Sequence, residues 1–294
     1  MAMSVGCFSL YCLVAVAQGP DFTADLEKRG AKVTRVAGVA TQVQVEAANF
    51  TPADFQALGR CATLRKISIN GKTLNDETLP LLSGLLALEE LSTNNTDLSD
   101  EGYRHFAAFK NLKSLALFHP SWDKKGFTGR GLAHLKALPK LEKLTYAGAS
   151  TGDEALAAVG ELRQLKDFST WHTMQTQAGN GHLAKLSSLA SLRLGQRLPR
   201  GNPAPAASLD ESTLKTISQF SGLEKLELFE ARLTAQGLMP IKNLSKLKRL
   251  VIHTCDVSAT DIDALRKSLP GVAIEFKPMT DADRDATLVK KLRI

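Results

Sequence analysis

The side chains of this 294-residue chain best suited to chemistry are three histidines, His119, His172 and His253, and a carboxylate, Glu230. An imidazole beside a carboxylate is a common general acid–base pair, and several imidazoles on one ion make a zinc site. Phe118, Trp122, Trp171, Phe229 and Arg193 stand close to them in the sequence pattern. Aromatic rings and guanidinium groups are the residue types that anchor protein interfaces. The set could serve catalysis, metal binding or recognition, and its placement in the fold decides among them.

That placement is set by a repeat. A Leu-x-x-Leu-x-Leu pattern returns with a 24-residue period at Leu64, Leu88 and Leu112, again at Leu141, Leu165 and Leu189, and at Leu223 and Leu247. Counting from each first leucine, alternation of apolar side chains at positions 4 and 6 predicts a short strand with one buried face. Position 12 carries Thr51, Asn75, Ser99, Thr128, Thr176, Asp210, Thr234 and Ser258, with Gly152 as the exception. These side chains cap helix N-termini. Apolar residues at positions 16, 19 and 22, as in Leu132, Leu135 and Leu138, predict a helix behind the strand. Each unit therefore reads strand, turn, capped helix, turn, and a helical crossover makes successive strands parallel.

On these residues the chain resembles the leucine-rich-repeat superfamily, nearest its ribonuclease-inhibitor-like and cysteine-containing subtypes. The resemblance runs over roughly residues 36–278 and implies an α/β solenoid, a horseshoe with parallel β-strands on the concave face and α-helices on the convex face. It says little about ligand. The Asn or Cys that the family carries at position 9 is replaced by Thr96, Ala149, Thr173 and Ala231, and only Cys255 matches it.

Strand side chains alternate faces, so positions 3, 5 and 7 look out of the sheet. Position 5 is small in its middle (Ser68, Ser92, Ala116, Thr145, Ser169) and then turns to Arg193 and Glu227. Position 7 carries Phe118, Trp171, Phe229 and His253 along one rim, and position 8 adds His119, His172 and Glu230. Two units break the period with extra residues in the strand-to-helix loop, His119–Gly126 (which holds Trp122) and Gln196–Ala207. Insertions in solenoids often mark the binding face. Between them Gln175 and Asn180 replace core leucines, so that unit is expected to be looser than its neighbours.

The expected ligand site is thus Phe118, His119, Trp122, Trp171, His172, Arg193, Phe229, Glu230 and His253, on the concave face and the C-terminal strand rim. A shared metal is not expected, since His119 and His172 lie two strands, about 10 Å, apart. No catalytic residue or cofactor is assigned, because the hydrolase, zinc-protease and phosphate-loop signatures are missing. Asp281-Ala-Asp283-Arg-Asp285 opens like a calcium loop but has Ala286 and Leu292 where Gly and Glu are needed. The function expected is non-catalytic binding of a protein or peptide. A structural or assembly role, carbohydrate binding and, last, an enzyme of unrecognised type are the alternatives.

The net charge of +7 is interspersed, which argues against nucleic acid as a partner. Residues 1–17 read as a signal peptide, with an apolar run closing on Ala15-Val16-Ala17 but with no basic residue before it. Export from a bacterial cell (periplasmic, cell-surface or secreted) is expected, with a cytoplasmic location as the alternative and no membrane span once the leader is removed. Residues 20–36 read as an N-terminal cap, 37–278 as about nine repeats, and 279–294 as a C-terminal cap helix, in a monomer. Cys61 and Cys255 stand eight repeats apart, about 38 Å, too far for a disulfide.

Overall fold

The computed structural model describes residues 22–294, so the leader lies outside the described residues. Eleven strands form one open sheet in chain order. They are β1 (Lys32–Val36), β2 (Val39–Glu46), β3 (Lys66–Asn70), β4 (Glu90–Asn94), β5 (Ser114–Phe118) and β6 (Lys143–Ala147), then β7 (Asp167–Trp171), β8 (Ser191–Leu194), β9 (Lys225–Phe229), β10 (Arg249–His253) and β11 (Ala273–Phe276). β1 is antiparallel to β2, and every later strand is parallel to its predecessor. Register follows the repeat: Ile67 pairs with Leu91, Leu91 with Leu115, and Leu115 with Leu144. The leucines at positions 1, 4 and 6 fill a continuous core, as Leu112, Leu115 and Leu117 show at full burial. The molecule is an α/β leucine-rich-repeat solenoid, with helical segments behind the sheet.

Those segments depart from the expected α-helices. Leu79–Leu82, Glu101–Ala108, Arg130–Ala137, His182–Lys185 and Met239–Asn243 are 3-10 helices. The α-helices are short, as in Pro52–Gly59, Asp153–Gly160, Gln177–Gly181 and Glu211–Ile217. Ala259–Ser268 is longer. The reason lies in the pattern itself. Apolar residues spaced strictly by three, as in Leu132, Leu135 and Leu138, eclipse on a 3-10 helix and drift around an α-helix.

Position 12 caps as its residue types predict. Thr51, Thr176, Asp210, Thr234 and Ser258 each accept a backbone N–H of the following turn, and Gly152 has no side chain to do so. A second device stands beside it. The acid at position 13 reaches forward to the next repeat: Asp76 accepts from Ser99 N, Asp100 from Thr128 N and Gly131 N, and Asp153 from Thr176 N, all at 2.8–2.9 Å. A glycine receives each acid. A Cβ at Gly102 would lie 1.8 Å from Asp76 Oδ1, and one at Gly179 would lie 2.0 Å from Asp153 Oδ1.

Gln175 and Asn180 are buried, and their amides donate to Gly195 O and Ser208 O. These carbonyls flank the second insertion. Lengthening that loop leaves backbone acceptors facing the core, and the polar side chains of the preceding unit satisfy them. The chain end also has a distinctive course. Asp281–Arg284 is α-helical and Asp285–Lys291 continues as a π-helix. Arg284 pairs with Asp256, Lys291 Nζ lies 3.6 Å from Glu230, and the carbonyl of Leu292 accepts from Arg197 at 2.8 Å. The segment thus runs back along the strand ends of β10 and β9 to the second insertion. No helix among the described residues is long and apolar enough to cross a membrane.

Candidate functional site: an aromatic rim

The C-terminal ends of the strands bring most of the position-7 side chains together. Phe118 and Trp171 rings lie 6.1 Å apart between centroids, Trp171 and Phe229 5.7 Å, and Phe229 and His253 5.2 Å with the last pair stacked. Aromatics two strands apart meet because the residues between them are small. Ala147 separates Phe118 from Trp171, and Gly195 separates Trp171 from Phe229. A Cβ at Gly195 would come 2.4 Å from Phe229 Cζ and 2.8 Å from Trp171 Cβ. The Arg193 guanidinium carbon sits 4.8 Å from the centroid of both the Trp171 and the Phe229 ring. Glu227 holds it there, with Oε1 3.0 Å from Arg193 Nε and 3.1 Å from His253 Nε2.

Exposure divides the set. Phe118, Trp171 and Arg193 are half-buried, whereas Phe229 is 5 % and Glu230 7 % exposed. Phe229 and Glu230 therefore build the rim, and Phe118, Trp171 and Arg193 present it. His119 and Trp122 form a separate group in the first insertion, with ring centroids 6.3 Å apart. Arg200 from the second insertion stacks on Trp122 at 4.1 Å, so the two insertions touch.

The histidines point to different acceptors. His119 Nδ1 lies 2.9 Å from Asn94 Oδ1, Asn94 donates to Asn70 at 2.9 Å, and Asn70 donates to Glu46 at 2.5 Å. An amide oxygen only accepts, so Nδ1 of His119 carries the proton. His172 Nε2 meets Glu230 Oε2 at 2.7 Å. His253 is held by Glu227. The described residues hold no group of three or more His, Cys, Asp or Glu arranged for a metal. Burial raises the thiol pKa of Cys255 to about 12, which leaves it a core residue whose Sγ donates to Leu228 O. Elsewhere at position 9 the backbone serves in place of a side-chain ladder: Thr96 O accepts from Ser121 N and Thr173 O from Leu198 N.

Glu227 stands at position 5 of the sequence pattern, beside Arg193 and in line with His253, but outside the expected ligand site. Arg200 and Lys291 carried no such signal, because an insertion and a chain end have no register. Position 8 also holds a repeated backbone feature: Asn95, His119, His172, Glu230 and Thr254 all have φ between 43° and 61°. This left-handed corner ends β4, β5, β7, β9 and β10 and turns the position-8 side chain along the rim.

No family model matches the chain, and no curated protein matches it. Among solved structures it is similar to an internalin (inlF) of Listeria monocytogenes, at 16 % identity and a TM-score of 0.42, covering 85 % of each chain. An internalin C2 of the same species is similar at 19 % identity and a TM-score of 0.41, covering 70 % of this chain and 79 % of that one. These likenesses are distant, and it is the chain's own repeat and strand register that identify its fold as a leucine-rich-repeat solenoid.

Proposed function

We propose that this chain is a non-catalytic recognition module for a protein or peptide, with Phe118, Trp171 and Arg193 as its central contacts. The observation that carries this reading is the Arg193 guanidinium held over the two rings at 4.8 Å. Stacked aromatic and guanidinium groups fixed before contact lose little rotamer freedom on binding, which favours affinity. The concave floor beside them is low, built from Ser92, Ala116, Thr145 and Ser169. Such a surface offers wide contact and little enclosure, which suits a macromolecular partner better than a small substrate. On this reading the histidines orient acids and neighbours and perform no proton transfer on a substrate, and the chain works outside the cell that makes it.

The test compares recovery of bound protein from native extract by the unchanged chain and by Trp171→Ala, Arg193→Ala and the convex-face variant Lys242→Ala. Loss of the same partner with the first two and retention with the third is the expected result. Equal recovery by all four would remove the rim as the site.

A further inference from the structure

The two ends of the sheet are finished differently. β1 is bulged between Thr34 and Arg35 and carries Lys32 and Arg35. A bulge and charged side chains are how natural sheets stop an edge from pairing with another strand. β11 (Ala-Ile-Glu-Phe) has neither a bulge nor a lysine or proline within it, and it ends the sheet order. Its core-facing Ile274 and Phe276 remain half-buried, as does Val272 before it, while Leu250 and Ile252 at the same positions of β10 are fully buried. The C-terminal segment runs back over the ends of β10 and β9.

The open edge has a defined hydrogen-bonding face. Ala273 N donates to Lys248 O at 2.9 Å, so Ala273 and Glu275 turn their peptide groups to β10. Peptide groups alternate sides along a strand, and those of Ile274 and Phe276 therefore face outward. An identical strand laid antiparallel satisfies them with Ile274 opposite Phe276 of the second copy, Phe276 opposite its Ile274, and the two Glu275 residues opposite each other. That register gives about four backbone hydrogen bonds and matches apolar with apolar on the core face. On the concave face each Glu275 is already held by its own Arg249 through two contacts of 2.7 and 3.0 Å. Lys277 of the other copy falls at the diagonal position, within reach of a long side chain. Two carboxylates are then ringed by four cations, which makes the edge complementary to itself in charge.

We propose that two copies of the chain pair antiparallel through β11 and join their sheets across a two-fold axis, in place of the monomer expected from the sequence. Opposed residues of a non-hydrogen-bonded pair have Cα atoms about 4.5 Å apart, inside the range that a disulfide spans. Glu275→Cys in the full chain, under mild oxidation, is expected to give a covalent dimer with a 275–275 cross-linked peptide by mass spectrometry; the unchanged chain treated alike is the control. Ile274→Pro removes an outward N–H and also trims a half-buried, core-facing side chain, so Ile274→Ala, which trims the side chain and keeps the N–H, is its control. Ile274→Pro is expected to weaken association at least tenfold in sedimentation equilibrium relative to Ile274→Ala, at a similar circular dichroism melt. Thr34→Pro at the guarded edge is expected to leave association as it was. A chain that stays monomeric up to ~100 µM, a weak-association regime, overturns the proposal. So does a dimer that withstands Ile274→Pro and yields no 275–275 link.

Discussion

Gly195 shows how one side chain sets the rim. Its missing Cβ is the space in which Phe229 and Trp171 meet, and the same absence lets Arg193 lie over both rings. Gly195→Ala would force the rings apart or bend the end of β8. Overpacking of this kind costs about 1–3 kcal/mol. The expected outcome is an unfolding free energy lower by that amount, seen as a lower midpoint, with Trp171 emission shifted to the red as the ring gains solvent. Midpoint and emission both unchanged would mean that the rings are not locked. The large members of the rim were legible at position 7, since Phe118, Trp171, Phe229 and His253 share one register. Ala147 and Gly195, which bring them into contact, were not, because a small residue signals only through the neighbours it admits.

Helical segments carry the repeat-to-repeat coupling. The Asp100 carboxylate receives Thr128 N, Thr128 Oγ1 and Gly131 N, each at 2.9 Å, so it fastens one unit to the start of the next helical turn. Asp100→Ala leaves these donors unpaired at a half-buried site. Leaving such groups unsatisfied costs about 1–3 kcal/mol, to be read as a lower urea midpoint. Asp54 couples the N-terminal helix in the same manner, through Arg29 at 2.7 Å and the Thr51 capping box. The Arg29 hydrogen bond, followed in effect by those from Thr51 and by the Arg29 charge, holds the Asp54 carboxyl below its ordinary value against the pull of burial. The folded state then binds fewer protons than the unfolded one in that range, so stability from this group is complete above about pH 4 and fades as pH falls through the lowered value. Asp54→Asn is expected to lower the melting temperature at pH 7 and to match the unchanged chain near pH 2. An equal deficit at both values would rule this linkage out. Acids at position 13 (Asp76, Asp100, Asp153) and glycines at position 15 (Gly102, Gly131, Gly179) stand in the sequence, yet only three-dimensional register shows that each acid meets the glycine of the next repeat. Spacing by three was likewise on the page in Leu132, Leu135 and Leu138, and its proper reading was a 3-10 helix.

Across the whole molecule, a period shared by neighbours predicts architecture, and contacts that break the period escape it. Arg197 is the clearest such contact. It is 1 % exposed in the second insertion, and its guanidinium donates to the carbonyls of Pro205, Ala206 and Leu292. Burial is the main cause of its lowered pKa, with the Arg293 charge second. Arg293 in turn donates to Gly201 O at 2.8 Å. The insertion and the chain end therefore form one body, closed over the strand ends where Lys291 meets Glu230 and Glu230 meets His172. In a solenoid each unit is stabilised by its neighbours alone, so loss of this body should act locally. Removing residues 285–294 would take away the buried Leu288 and Leu292 and one of the three carbonyl partners of Arg197. Amide exchange should then quicken in residues 196–207 and at the ends of β8 to β10, with β3 to β5 as slow as before. Arg197→Met tests the link itself. In the full chain it frees the Leu292 carbonyl and should speed exchange across the same segment, whereas in the shortened chain that bond is already lost and the added effect should be small. Residues joined in one network give such non-additive pairs. Equal effects in both chains would show that Arg197 secures only its own loop and that the chain end is held by Leu288 and Leu292 alone.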